Sequence, residues 1–116
     1  MTFAFPKSSR LLTTAEFKRV FDKRKSTADS LLVIYAAKND LEKNRLGISV
    51  SRKVGNAVVR NRWKRLIRTA FRTNPLATVK HFDIVVVPKR GAALPDYAAL
   101  EKSFCRLVRL LLSREK

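Results

Sequence analysis

The chain has little of what most enzymes use for chemistry. One cysteine and one histidine in 116 residues allow neither an internal disulfide nor a four-ligand structural zinc site of the usual kind. A single thiol, Cys105, suits a reducing compartment, and a cytoplasmic location is the expectation. No stretch approaches the roughly 18 apolar residues of a membrane span. The first ten residues lack the apolar segment of a secretory signal. Their Ser, Lys and Arg content has something of a mitochondrial transit peptide, but Glu16 and the core-like Phe17 argue against one. Acids are scarce as well, 9 against 26 Lys or Arg, for a net charge of +17. The nine are scattered, whereas a two-metal nuclease needs clustered carboxylates. His81 has no cysteine or carboxylate at nucleophile–base spacing and reads as a loop histidine. No catalytic residue and no metal ligand is expected of this chain.

What it does have is apolar content for a core, 46% of all residues, which a disordered basic tail lacks. Residues 1–116 fit one domain, burying roughly 65% of the unfolded surface. A charge of +17 strains a compact state by self-repulsion, so a polyanionic partner is implied. Nucleic acid is the default and an anionic membrane surface the runner-up.

Thr13 and Glu16 have capping-box spacing, and Phe17, Val20 and Phe21 follow on one helical face. Residues 31–37 are short, apolar and partly β-branched, a strand. Residues 46–51 alternate strictly, with Leu46, Ile48 and Val50 on a core face and Gly47, Ser49 and Ser51 opposite. An antiparallel hairpin is the simplest joining of the two. Alternation then sends Leu32, Ile34 and Ala36 inward and leaves Leu31, Val33 and Tyr35 on a more open face. After Gly55 and Asn56, the residues Val59, Trp63, Leu66, Ile67, Ala70 and Phe71 recur at helical spacing until Asn74 and Pro75. Residues 83–88 form a nearly continuous apolar strand. Pro95 and Asp96 open a last helix with Tyr97, Leu100, Phe104, Leu107, Val108 and Leu111 inward and Cys105 at the margin. The order α-β-β-α-β-α predicts an α/β (α+β) two-layer sandwich, helices on one face of a small sheet.

The charge is uneven. Between Glu42 and Asp83 no acid occurs, while Lys43, Arg45, Arg52, Lys53, Arg60, Arg62, Lys64, Arg65, Arg68, Arg72 and Lys80 do. Arg60, Lys64, Arg68 and Arg72 recur every four residues as one ridge. A merely solvating face interleaves both signs, and this one does not. A basic ridge positions phosphates but specifies no sequence. Phe17, Phe21 and Tyr35 are a second group. Tyr35 falls on the face of Gly47 and Ser49, where aromatics near cations can stack single-stranded bases. Spacing alone leaves core and cleft equally open for these rings.

In residues 51–68, Lys53, Gly55, Ala57, Val58, Arg60, Asn61, Lys64, Arg65 and Arg68 match a Lys-x-Gly-x-Ala-Val-x-Arg-Asn-x-x-Lys-Arg-x-x-Arg signature. This closely resembles the protein subunit of bacterial ribonuclease P, with Arg60, Asn61 and Arg62 as that family's Arg-Asn-Arg core. Residues 5–11, with Glu16, Phe17, Val20 and Phe21, also resemble the family, and the likeness covers nearly the whole chain. Thr69 departs, where many members carry an acidic or amide residue. The resemblance implies a protein cofactor of a catalytic RNA that removes the 5′ leader of precursor tRNA. It implies that Arg52, Lys53, Gly55, Asn56, Arg60, Asn61, Arg62, Lys64, Arg65 and Arg68 face the catalytic RNA. Phe17, Phe21 and Tyr35, with Ser49 and Ser51, would line a cleft for the leader. It further implies magnesium held by the RNA and a left-handed strand–helix–strand crossover, against the usual hand. No membrane and no protein partner is expected. A ribosomal or other structural RNA-binding protein would share the charge but not the signature; an autonomous nuclease would need carboxylates this chain does not cluster.

Overall fold

The structure, a computed structural model, describes residues 10–11, 13–74 and 81–113. Residues 5–9 of the N-terminal run, Pro75 at the expected helix stop and Lys80 of the basic segment lie outside the described residues. The elements are α1 (Thr14–Asp22), β1 (Ser26–Ala28), β2 (Leu32–Lys38), β3 (Arg45–Ile48), a 3-10 turn (Arg52–Val54), α2 (Ala57–Thr73), β4 (Phe82–Pro88) and α3 (Tyr97–Ser113). The expected order is present, with the three-residue strand β1 added to it.

Each helix starts where its cap residue stands. Thr13 Oγ1 accepts from the Glu16 amide at 3.1 Å, and Glu16 Oε1 accepts from the Thr13 amide at 3.0 Å, a complete capping box. Asn56 Oδ1 accepts from the Val59 amide at 3.0 Å to open α2, and Asp96 Oδ1 from the Ala99 amide at 2.8 Å to open α3.

The four strands lie in the order β1-β2-β4-β3. β1 and β2 pair antiparallel, β2 and β4 antiparallel, and β3 and β4 parallel. β2 and β3 are therefore not a hairpin. The reason lies in β4, which is buried at every position except Val87. A strand that apolar on both sides belongs in the middle of a sheet, and it separates the two strands that a short loop had joined. Residues 10–11 extend the outer edge of β3, where the Leu11 amide donates to the Leu46 carbonyl at 2.9 Å.

The two long helices share one face, as the patterning predicts. Trp63, Ile67 and Ala70 of α2 and Leu100, Phe104, Leu107, Val108 and Leu111 of α3 pack on Leu32, Ile34, Ala36, Leu46, Ile84 and Val86. Leu31 joins this cluster rather than the open face, because it precedes the strand instead of pairing in it. α1 takes the opposite face, so the helices do not all lie on one side. Its Val20, with Leu11, Ala37 and Val85, forms a second, smaller cluster against which Phe17, Phe21, Tyr35 and Val87 are packed.

A turn between β1 and β2 is tied to α3 by Asp29. Its carboxylate accepts from the Leu31 and Leu32 amides at 2.8 and 3.0 Å, from Ser103 Oγ at 2.5 Å and from Arg106 at 2.6 Å. Burial raises the carboxyl, but the bonds from Ser103, the two amides and Arg106 outweigh it and hold the pKa at about 2, against an ordinary 3.8. A depressed carboxylate pKa contributes stability that is full above the unfolded value and is lost as pH falls from about 4 through about 2. Asp29→Asn is expected to cost about 2 kcal/mol near neutral pH. The difference from the parent, measured by urea denaturation across pH, should shrink below pH 4.

Candidate nucleic-acid interface

Register builds the face under α1 in three cross-strand rows. Arg45, Asp83 and Ala37 are neighbours in the first, Gly47, Val85, Tyr35 and Ser26 in the second. Val87, Val33 and Ala28 make the third, and Ser49, whose amide donates to the Val86 carbonyl at 3.1 Å, extends it from β3. α1 contacts the first two rows. Phe17 lies directly on Gly47, where an added Cβ would stand 2.8 Å from its Cζ and 3.0 Å from Leu11 Cδ1. Only glycine admits the ring so close to the sheet. Phe21 meets Tyr35 edge to face, centroids 4.8 Å apart at 85°.

The third row is less buried than the second. Val33, Val87 and Ser49 are half-buried and Ala28 is exposed. Phe17, Phe21 and Tyr35 are each half-buried too, packed against the small cluster. They thus belong to the small core while keeping part of their surface exposed. Ser51 stands further along, exposed, its Oγ accepting from the Lys53 amide at 3.1 Å to cap the 3-10 turn.

What holds α1 in place was not legible in the sequence. Asp83 is wholly buried and accepts four donors. Arg45 forks onto both its oxygens at 2.8 and 2.7 Å, Asn39 Nδ2 reaches one at 2.8 Å, and Arg19 of α1 binds the other. Arg45 also reaches Glu16 of α1 at 2.8 Å. Burial would raise the Asp83 carboxyl; Arg45, Asn39 and Arg19 together hold it below the usual carboxylate range.

The second surface is α2. Gly55 lets the chain pass under Val59, whose Cγ1 would lie 2.8 Å from an added Cβ. Arg52 and Lys53 are exposed on the 3-10 turn, and Asn56 is exposed at the cap. Along the helix, Arg60, Lys64, Arg68 and Arg72 run half-buried down one flank, so the four-residue ridge is less prominent than its spacing implies. Val58, Asn61, Arg62 and Arg65 are exposed, as are Ala57 and Thr73 at the helix ends. Burial, then the charge of Arg10, lowers the Arg68 pKa. Buried Nε atoms of Arg60 and Arg68 have no hydrogen-bond partner among the described residues. Asn61, Arg65, Arg68, Thr69 and Arg72 line an open hollow of about 330 Å³. Thr69, the departure from the signature, donates to the Arg65 carbonyl at 2.9 Å and accepts from Arg72 at 3.2 Å. It fixes the hollow's wall without adding a negative charge.

His81 precedes β4 and lends its carbonyl to the Asn39 amide, while Cys105 packs at the margin of the main cluster. No three His, Cys, Asp or Glu side chains among the described residues gather as a metal site, and no described helix is long and apolar enough to cross a membrane.

A family profile described as Ribonuclease P matches residues 5–111. The chain belongs to the ribonuclease P protein family. Ribonuclease P protein components of Lachnoclostridium phytofermentans and Clostridium acetobutylicum are similar to it. The first is 42% identical over 103 residues, covering 89% of each chain, and the second 43% identical, covering 87% of each. Among solved structures, the Staphylococcus aureus RNase P protein superposes with a TM-score of 0.80 at 33% identity over 90% of this chain and 95% of that one. The Thermotoga maritima RNase P protein gives 0.75 at 34% identity over 88% and 94%. Membership in the ribonuclease P family places the chain in an endoribonuclease ribonucleoprotein of tRNA 5′ processing, with an RNA partner.

Proposed function

We propose that this chain is the non-catalytic cofactor of ribonuclease P, binding the catalytic RNA by α2 and the single-stranded 5′ leader of precursor tRNA by the α1 cleft. The observation that carries the reading is a helix face with six cations and no acid from Arg60 to Arg72, borne on a scaffold of the ribonuclease P family. Arg60, Asn61, Arg62, Lys64, Arg65 and Arg68, with Arg52, Lys53, Gly55 and Asn56, are assigned to the catalytic RNA. The absence of any acid along this helix supports phosphate there, since anionic oxygens satisfy both the hydrogen bonds and the charge of its cations. Phe17, Phe21 and Tyr35, with Ser49 of the third row, are assigned to the leader; Ser51 belongs to it only through its place at the strand exit.

Magnesium in such a reaction is assigned to the RNA, while no three His, Cys, Asp or Glu side chains gather among the described residues of this chain. The protein's cations screen repulsion between RNA phosphates, so less magnesium is needed to compact the RNA. The rings add a sequence-tolerant grip, because every base has a π-face. Binding that is equal in ground and transition states lowers KM more than it raises kcat.

The test is cleavage of precursor tRNA with magnesium, with protein alone, catalytic RNA alone, and both. Stimulation of the RNA at low magnesium, with none by the protein alone, supports the cofactor reading; cleavage by the protein alone overturns it. Phe17→Ala or Tyr35→Ala is expected to weaken precursor binding by roughly 1–3 kcal/mol while leaving mature tRNA binding nearly unchanged. Equal losses on both RNAs would make these rings core only.

A further inference from the structure

Lys23, Arg24 and Lys25 follow α1, and all three side chains are exposed. They belong to neither surface described above. Their position is set by the sheet: the Lys25 carbonyl accepts from the Ala36 amide at 3.1 Å, and the next residue, Ser26, is the register partner of Tyr35. Lys23 and Arg24 therefore stand at the β1 edge, just after Phe21, while Lys25, opposite Ala36, alternates toward the α3 face. The neighbouring acids are already engaged. Asp22 pairs with Lys18 at 2.7 Å, and Asp29 is taken by Ser103 and Arg106.

Arg24 carries a second signal. Its φ is 55°, and it is the one residue other than glycine with positive φ among the described residues. Glycine adopts that conformation without steric cost, and an arginine does not. The backbone gains nothing from the side chain here, so the turn keeps a cation at a strained position. Such an outlier points to use of the side chain. A cation near a helix C-terminus also complements the dipole, but that effect asks only for charge in the last turn, where Arg19 already stands.

We infer that Lys23 and Arg24 bind phosphates of the leader beyond the bases held by the rings, extending the cleft into a track for the distal leader. The inference rests on the leader reading of that cleft. It makes protein affinity depend on leader length, where the rings alone would saturate once the cleft is filled. The ligand is the phosphodiester backbone of a single strand, read without regard to sequence.

The experiment uses ribonuclease P reconstituted from the full chain and its catalytic RNA. Precursors carry oligouridine leaders of about four or about twelve nucleotides, bracketing common single-strand site sizes, with mature tRNA as control. Arg24→Gly removes the charge while relaxing the backbone, so its thermal stability should match or exceed the parent's. Its affinity for the long-leader precursor should fall several-fold, and adding Lys23→Gln should deepen the loss. The salt dependence should drop by about 0.7 in log–log slope per lost phosphate contact. Short-leader and mature RNAs should bind as before, and Arg24→Lys should restore the long-leader affinity. Equal loss on all three RNAs, or no loss on any, overturns the inference. Phe21→Ala in the same series separates the two ideas. If it discriminates leader from mature RNA while Arg24→Gly shows no length dependence, the track alone fails. If Phe21→Ala does not discriminate, the cleft reading fails.

Discussion

Asp83→Ala is expected to remove about 3–5 kcal/mol of folding stability, the cost of leaving a buried ionic partner uncompensated. The site is unforgiving because Asp83 is wholly buried and the Arg45 side chain is only 18% exposed. With the carboxylate gone, Arg45 retains one acid, Glu16, and Arg19 loses its tie between α1 and β4. A small domain has about 5–15 kcal/mol in all, so the variant should sit near its unfolding threshold. Urea denaturation followed by the fluorescence of Trp63, the only tryptophan, reads the loss. Replacing Asp83 and Arg45 together with apolar residues of similar volume should recover much of it, because the penalty belongs to the orphaned charge and not to the missing pair. If the single variant is as stable as the parent, the network does not hold α1 as described.

Trp63→Ala is expected to cost about 3–5 kcal/mol, the range for emptying a large aromatic site. Trp63 is fully buried between the sheet and α3 in the main cluster, and its helix carries the basic face. Its indole Nε1 is buried with no partner among the described residues. The contribution is thus volume and contact, with the N–H a small liability. Trp63→Phe should therefore cost only about 1 kcal/mol, since it gives up some volume and removes the unsatisfied donor. Circular dichroism is the suitable probe, as both variants lack the fluorophore. A Phe variant as damaged as the Ala variant would mean that the indole N–H has a partner after all.

Much of this architecture was open to reading because each helix repeats its signal. Trp63, Ile67 and Ala70 recur at helical spacing and are all wholly buried, as are Leu100, Phe104 and Leu107 of α3 to within a percent. Caps at Thr13 and Asn56 fixed two starting points to the residue. Pairing between strands was harder. Residues 39–44 make a connection short enough for a hairpin, yet they step over β4. Nothing local marks that step. The near-continuous apolar run of β4 was the available clue, since such a strand seeks the centre. β1, Ser-Thr-Ala, is too short and too polar to announce itself.

At the candidate site the legible part was residue type and the illegible part was partnership. Asp83 read as the polar head of a strand, but its ligands Arg45 and Arg19 are 38 and 64 residues away in sequence. No spacing rule reaches so far. Phe17 was undecidable between core and cleft because a half-buried ring on a short helix at the edge of a small cluster can be both. Gly47 beneath it was the one local hint, a missing side chain where a ring needed room.

The unequal division of the interior also orders the molecule in time. Val20 is the only wholly buried residue of α1, whereas α2 and α3 sink whole stripes into the larger cluster. Opening free energies follow such differences, so α1 is expected to lift and reseat many times before the sheet opens. On the proposed leader reading, a strand bound beside α1 meets a hinged jaw, and closing it spends ordering entropy that a rigid slot would not. Amide exchange in α1, slowed by a bound leader oligonucleotide while α3 exchange stays constant, is the signature of that hinge; equal protection of both helices without ligand would deny it.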